Sequence, residues 1–247
     1  MVDVQEMGWR LEPHPQLDST QDHLRRKIAT GDIIHGLVVR TLEQSAGRGQ
    51  RRNDWQSSLG GSYQSLALYD PEKNFQDSRL SLYLAIGIAQ SFHEASIKVT
   101  LKWPNDIYYN EKKLGGILCE HYHAHLIIGV GINVSNEIPL GATRLMGLKV
   151  DAVSDQVLLG LAKGFEHFKA QSDLPFLYAP FDLLRARELY FVDETPNSPS
   201  PKRYQAQGIR KDGALILNHG GEISYLYQGP QRAALRLWSE TSATTVE

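Results

Sequence analysis

Leu80, Leu84, Ile88 and Phe92 recur every fourth residue, which puts them on one helical face and predicts an amphipathic helix over 78–95. Val157, Leu158, Leu161, Phe165 and Phe168 predict a second long helix over about 153–169. Asp18-Ser19-Thr20 reads as a helix start, because a short polar side chain can accept from free backbone N–H groups. Leu24 and Ile28 then share a face, and Gly31 can end that helix in a left-handed turn. Apolar runs at 37–39, 63–69, 99–103, 114–121 and 126–134 read as strands. Between the first two lies a polar, glycine-rich stretch over 44–61, longer than packing needs, and such loops often carry function. Strands and helices in this order predict an α/β (α+β) domain built on a mixed sheet.

The pattern changes after residue 195. A proline-serine segment, Pro196 to Pro201, is the best linker in the chain. Short strands follow at 204–209, 214–217 and 223–227, joined by Lys211-Asp212-Gly213 and Asn218-His219-Gly220-Gly221, both good hairpin turns. The expected organisation is a first domain over 1–195, a small β-barrel over 200–238 and a tail over 239–247. No internal repeat is present.

Charge and cysteine content narrow the function classes. The 26 basic and 28 acidic residues of the 247 give a net charge of -2, which excludes a chain held to nucleic acid by bulk charge. One cysteine, Cys119, cannot form an internal disulfide and suits a reducing compartment. No apolar run approaches a membrane span or a signal peptide, so the expected location is the cytoplasm.

Three stretches carry candidate chemistry. Residues 43–55 hold Gln44, Gly47, Arg48, Gly49, Gln50, Arg51, Arg52 and Trp55. Glycines allow close approach of a ligand, arginines supply fixed charge for phosphate or carboxylate, and Trp55 offers a flat wall. No Gly-Lys-Ser/Thr follows, so this is not a Walker loop, and a solvated basic loop has the same composition. In the second stretch a strand delivers Lys102 and Trp103 to a Pro104-Asn105-Asp106 turn, and a second turn sets Lys113 before Leu114-Gly115-Gly116. One carboxylate and two lysines can orient a metal-bound nucleotide and neutralise a reacting anion; a plain meander with solvated lysines is the alternative. The third, Gly129-Val130-Gly131-Ile132-Asn133-Val134, lacks the third glycine of a dinucleotide fingerprint. It reads as a strand edge closely approached by a ligand or backbone, with Asn133 as a polar contact.

In order and spacing these stretches, with Asp18-Ser19-Thr20, resemble the biotin protein ligase family over about residues 8–235. The resemblance implies a catalytic domain related to class II aminoacyl-tRNA synthetases, followed by a Src-homology-3-like barrel. It implies ATP-dependent formation of biotinyl-5'-AMP and transfer of biotin to a lysine of the carboxyl carrier protein of acetyl-CoA carboxylase. By position, Ser19, Thr20, Gln21 and Gln44 would contact the biotin ring, and Gly47, Arg48, Gly49, Gln50 and Gly116 would line its pocket. Lys113 would bridge the biotin carboxylate and α-phosphate. Asp106 and Asn105 would orient the nucleotide or the incoming amine, and Arg51, Trp55, Lys102 and Asn133 would line the adenylate. Lys113, Arg48 and Asp106 are the expected catalytic set. Mg²⁺ is expected with ATP, with no dedicated protein metal site. A homodimer is allowed by the resemblance alone.

Departures from the family pattern carry their own expectation. Gln50 stands where the family loop most often has arginine, and Arg52-Asn53 replace its Gly-Arg, so the reactive adenylate should be released more readily. Gln21 stands where many members have asparagine. Only about eighteen residues precede the first motif, too few for a helix-turn-helix, so no DNA-binding duty is expected. Rival readings are a lipoate or octanoate ligase or transferase on the same fold, and a non-catalytic nucleic-acid module using Trp55, Trp103 and the arginines. His121, His123 and His125 alternate along one run and could line a metal on a sheet face, although a solvated face explains them better. Cys119 reads as a small core residue.

Overall fold

A computed structural model of the chain describes residues 7–50, 53–191, 202–227 and 235–237. Contacts divide it into one unit ending at Gln171 and a second beginning at Ser172.

The first unit is built on a seven-stranded mixed sheet. Its strands are β1 (Arg10–His14), β2 (Leu37–Thr41), β3 (Ser62–Tyr69), β4 (Val99–Lys102), β5 (Asp106–Tyr109), β6 (Lys112–Tyr122) and β7 (His125–Ile132). They lie in the order β1-β2-β3-β7-β6-β5-β4. β1 pairs with β2 in parallel and every other pair is antiparallel. The turn between β5 and β6 consists of Asn110 and Glu111, both at positive φ, the backbone that matches strand twist in a two-residue hairpin.

Helix α1 (Thr20–Ala29) starts where the sequence predicts: Ser19 Oγ accepts from Asp22 N at 3.3 Å. Gly31 at φ 95° follows its end. Leu24 and Ile28 pack on Leu37, Val39, Ala67 and Ile127, covering one face of the sheet. The opposite face carries α2 (Leu80–Glu94) and α3 (Val150–Lys169). There Ser62 Oγ meets Ser154 Oγ at 2.7 Å, and Gln64 Nε2 donates to Ser154 O. Buried Arg40 donates to Gln64 Oε1 and to Asp155 Oδ1 at 3.3 and 3.2 Å, so its charge is paired.

The predicted helix over 78–95 is present, but it is not one-sided. Every residue from Leu80 to Ala89 is buried, because α3 covers the side that the sheet leaves open. The two helices approach at Gly87, Gly160 and Gly164. A Cβ on Gly87 would stand 2.2 Å from Gly160 O, and one on Gly160 would stand 2.4 Å from Ile88 Cα. Backbone, not a flexible side chain, fills each space.

The second unit holds α4 (Leu174–Tyr178) and β8 (Glu188–Phe191), β9 (Tyr204–Ile209), β10 (Leu215–His219), β11 (Glu222–Leu226) and β12 (Leu235–Leu237). These strands form an antiparallel sheet in the order β11-β10-β9-β8-β12. Both predicted hairpins are there: Gly213 has φ 84°, and Gly220 and Gly221 have φ 59° and 94°. The division falls earlier than the expected 195/200 boundary, because β8 pairs with β9 rather than with the large sheet. The proline-serine segment and the tail lie outside the described residues. Among the described residues no helix is long and apolar enough to cross a membrane.

Replacing Gly87 or Gly160 by alanine is expected to destabilise the protein by roughly 1–3 kcal/mol through overpacking at this crossing. Urea unfolding measures it, and a change within experimental error would show that the helices can part at no cost.

Candidate active site

The register of the sheet lines up a row of four predicted residues. Lys102 on β4 stands opposite Asp106 on β5, Asp106 opposite Gly116 on β6, and Gly116 opposite Gly131 on β7. Paired residues point to one face, here the face that carries α1. Between Ile107 and Tyr108 the β5–β6 register shifts. That irregularity turns Lys113, which plain alternation from Gly116 would send to the far face, toward the row. Its Nζ lies 2.7 Å from Asp106 Oδ1 and 5.3 Å from the centre of the Trp55 ring.

Trp55 rests on bare backbone. A Cβ on Gly131 would stand 2.6 Å from Trp55 Nε1, and one on Gly116 would be 3.9 Å from its ring. The indole nitrogen is buried and has no acceptor among the described residues.

Beside this row, the start of α1 and the 44–57 loop share a buried net of amides and hydroxyls. Gln44 Oε1 accepts from Thr20 N at 2.8 Å and from Thr20 Oγ1 at 3.1 Å, while Gln44 Nε2 donates to Ser57 Oγ at 2.8 Å. Thr20 Oγ1 meets Ser65 Oγ at 2.8 Å, and Ser65 Oγ donates to Gln21 Oε1 at 2.9 Å. Gln21 Nε2 donates to Glu120 Oε2 and Ile127 O. Gly47 is required here, since a Cβ would stand 2.3 Å from Ser57 Oγ and 2.4 Å from Trp55 O. A cleft of about 640 Å³ borders the loop, lined in part by Gln44, Gly47, Trp55 and Ser57, within the size range of small-ligand sites.

Arg48 ties this loop down. Its guanidinium donates to Asp22 Oδ1 at 2.6 Å and to Glu120 Oε1 at 2.8 Å, joining α1 to β6. Gly49 N donates to Asn53 O, which folds the tip back, and Gln50 is half-buried. Ser19 is buried with its hydroxyl engaged as the helix cap. Asn105 donates to Ile117 O at 2.7 Å and so fastens its own turn. Asn133 donates to Thr143 O and accepts from Asn136 Nδ2, which makes it an organiser of the loop after β7. Lys102 Nζ lies 5.5 Å from the centre of the Tyr108 ring. Arg51 and Arg52 lie outside the described residues.

The Gly129–Val134 stretch needs a correction. It is not a strand edge: β7 lies between β3 and β6. What comes close is a side chain in each case, Gln21 at 2.8 Å from a Cβ on Gly129 and Trp55 over Gly131. Asp22, Ser57, Ser65 and Glu120 are bonded into this candidate site, and no sequence motif singled them out. Ser65 alternates with Tyr63 on a predicted strand and could have been placed by period alone; the others depend on contacts across 13 to 72 positions.

Cys119 is opposite Ile128 on the face away from the site. Burial, with the Glu120 charge adding, pushes its thiol up to about 12, so it is an unreactive packing residue.

The description "Biotin/lipoate A/B protein ligase family" matches residues 14–133. The chain is 30% identical over 247 residues to the bifunctional ligase/repressor BirA of Bacillus subtilis, covering 90% of this chain and 73% of that one. It is 32% identical over 155 residues to the biotin–[acetyl-CoA-carboxylase] ligase of Mycobacterium tuberculosis, 59% and 58% of the two chains. The structure of the biotin protein ligase from Aquifex aeolicus in complex with biotin and ATP superposes with a TM-score of 0.78 at 27% identity, over 92% of this chain and 99% of that one. The chain therefore belongs to the biotin/lipoate protein ligase family.

The histidine row does not converge. His121 and His123 are exposed, whereas His125 is buried and its Nε2 accepts from Ile34 N at 3.0 Å. Burial first, then the neighbouring His123 and His35, lower the His125 pKa from 6.5. A histidine with a lowered folded-state pKa contributes stability above its unfolded value and loses it as the pH falls. Stability should therefore drop between pH 7 and 5, and His125→Gln, which keeps an acceptor for Ile34 N, should flatten that slope. Parallel slopes in urea unfolding at several pH values would show that other groups carry the dependence.

Proposed function

We propose that this chain is a biotin protein ligase that uses ATP to convert biotin to biotinyl-5'-AMP, releasing pyrophosphate. It then transfers biotin to a lysine of the biotin carboxyl carrier protein of acetyl-CoA carboxylase and releases AMP. The observation that carries the reading is the juxtaposition of two half-sites on one sheet face. The Thr20–Gln21–Gln44–Ser65 net presents donors and acceptors suited to a ureido ring. The Lys113–Asp106 pair stands beside the Trp55 ring packed on Gly131, which sets a charge for phosphate next to a flat wall for an extended ligand.

The chemistry follows from those groups. A carboxylate is a poor acylating agent, so its oxygen must attack the α-phosphorus and displace pyrophosphate to give a mixed anhydride. Lys113, passing from Asp106 to the phosphate, neutralises the charge that builds there. In transfer, the carrier amine attacks the acyl carbon, the carbon–oxygen bond to AMP breaks, and the amine sheds its proton. Asp106, freed from Lys113, is placed to orient that amine, with Asn105 holding its turn. Arg48 closes the 44–57 loop over the ligand from its anchor on Asp22 and Glu120. Trp55 walls the adenylate, Lys102 extends the positive end of the row, and Arg51 adds charge.

Mg²⁺ suits this donor set only as a companion of ATP. Asp106 offers one carboxylate beside a phosphate position, in keeping with a cation bound by one or two carboxylates plus phosphate oxygens. The single thiol fits a cytoplasmic setting. The nucleic-acid reading loses its platform, because Trp103 is 7% exposed and Trp55 is packed on Gly131.

Two experiments test this. Incubated with ATP, Mg²⁺, biotin and a carrier domain, the protein should add one biotin mass to the carrier, with turnover reduced roughly 10²–10³-fold in Lys113→Ala. A gain with lipoate or octanoate instead of biotin would move the activity to the rival acids, and full activity of Lys113→Ala would remove the role of that lysine. Separately, Gln50→Arg should slow dissociation of biotinyl-5'-AMP, measured by trapping the released adenylate; equal rates would remove the idea of a leaky loop.

A further inference from the structure

We propose that Glu12, His14 and His23 form a binding site for one transition-metal ion of the Zn²⁺ class, separate from the ATP-dependent chemistry. Glu12 and His14 lie two apart on β1 and so share a face. His23 comes from α1, which packs on that face. The Nε2 atoms of both histidines stand 2.9 Å from the same oxygen, Glu12 Oε1. All three ligand atoms lie within 4.8 Å of one another, and no other group of three histidine, cysteine or acidic side chains does so among the described residues.

The chemistry of the donors fits a borderline metal. Two imidazoles and a carboxylate are a recurrent three-ligand set for Zn²⁺, with water completing a tetrahedron. Zn–N and Zn–O bonds of about 2.0–2.2 Å require ligand atoms about 3.3 Å apart. Glu12 to each histidine is already near that spacing. The two rings, 4.8 Å apart between centres and tilted by 58°, have only to rotate toward each other. Lys27 Nζ holds the other carboxylate oxygen at 3.0 Å, which leaves Oε1 facing the histidines and fixes the plane of the group. Without an ion, two ring nitrogens and an ammonium all converge on one carboxylate; a metal would replace two N–H contacts by bonds to the same three atoms. The ion would also clamp β1 to α1, the helix whose first turn carries Thr20 and Gln21.

The test uses the full chain, stripped with a chelator and without ATP or biotin. Zn²⁺ is titrated in competition with a chromophoric chelator, and histidine carbethoxylation is mapped by peptide mass spectrometry with and without Zn²⁺. We expect one equivalent bound, His14 and His23 protected together, and affinity weakened by about tenfold or more in His14→Ala and in His23→Ala. A His121→Ala/His123→Ala variant should bind as the wild type does. Unprotected His14 and His23 would overturn the site, as would equal affinity in the single variants or loss of binding in the His121/His123 variant. The protection measurement needs no substitution, so it decides even if a variant fails to fold.

Discussion

The close approach of side chains to bare backbone on one face of the sheet is the constraint on which the site depends. Gly129 and Gly131 alternate on β7, and each lets a side chain from another part of the chain settle where a Cβ would otherwise stand. Gln21 at the first brings the start of α1 down onto the sheet; Trp55 at the second brings the end of the 44–57 loop. A methyl group at Gly131 would press on the Trp55 ring, and one at Gly129 would displace the end of the Gln21 side chain. Such close approach is a common reason for glycine in a strand interior.

Two further devices convert this closeness into a defined site. The register shift between β5 and β6 turns Lys113 to the face that Asp106 occupies. Arg48, bidentate across Asp22 and Glu120, fastens the loop to both a helix and a strand. The opposite face is given over to packing, with every residue of α2 from Leu80 to Ala89 buried against the sheet and α3. The glycines at that helix crossing serve packing in the way the strand glycines serve the site.

Much of this was legible in the sequence, for identifiable reasons. Ser19 and Gly31 mark α1 by capping chemistry, and the period of α2 and α3 survives because apolar residues must repeat to reach a core. The hairpins at 211–213 and 218–221 are written in their glycines. What was illegible depends on partners distant in sequence. β1, with alternating polar residues in Arg10–His14, is a strand only because β2 lies beside it in parallel. The unbroken burial of Leu80–Ala89 requires knowing that α3 crosses α2. Glu120 looks like one charge in a strand until Gln21 and Arg48 arrive from elsewhere.

The ion pairs in the site have a consequence for turnover. Lys113 and Arg48 already have carboxylate partners at 2.6–2.8 Å, so an arriving anion exchanges one partner for another instead of meeting bare charge. The exchange subtracts from affinity, because an existing pair must be parted first. It also runs in reverse. In the proposed reaction, Asp106 would stand beside Lys113 as the last phosphate-bearing product loosens and would take the ammonium back. Recapture of the cation by its resting partner would favour departure and reset the site without waiting for solvent ions to fill it.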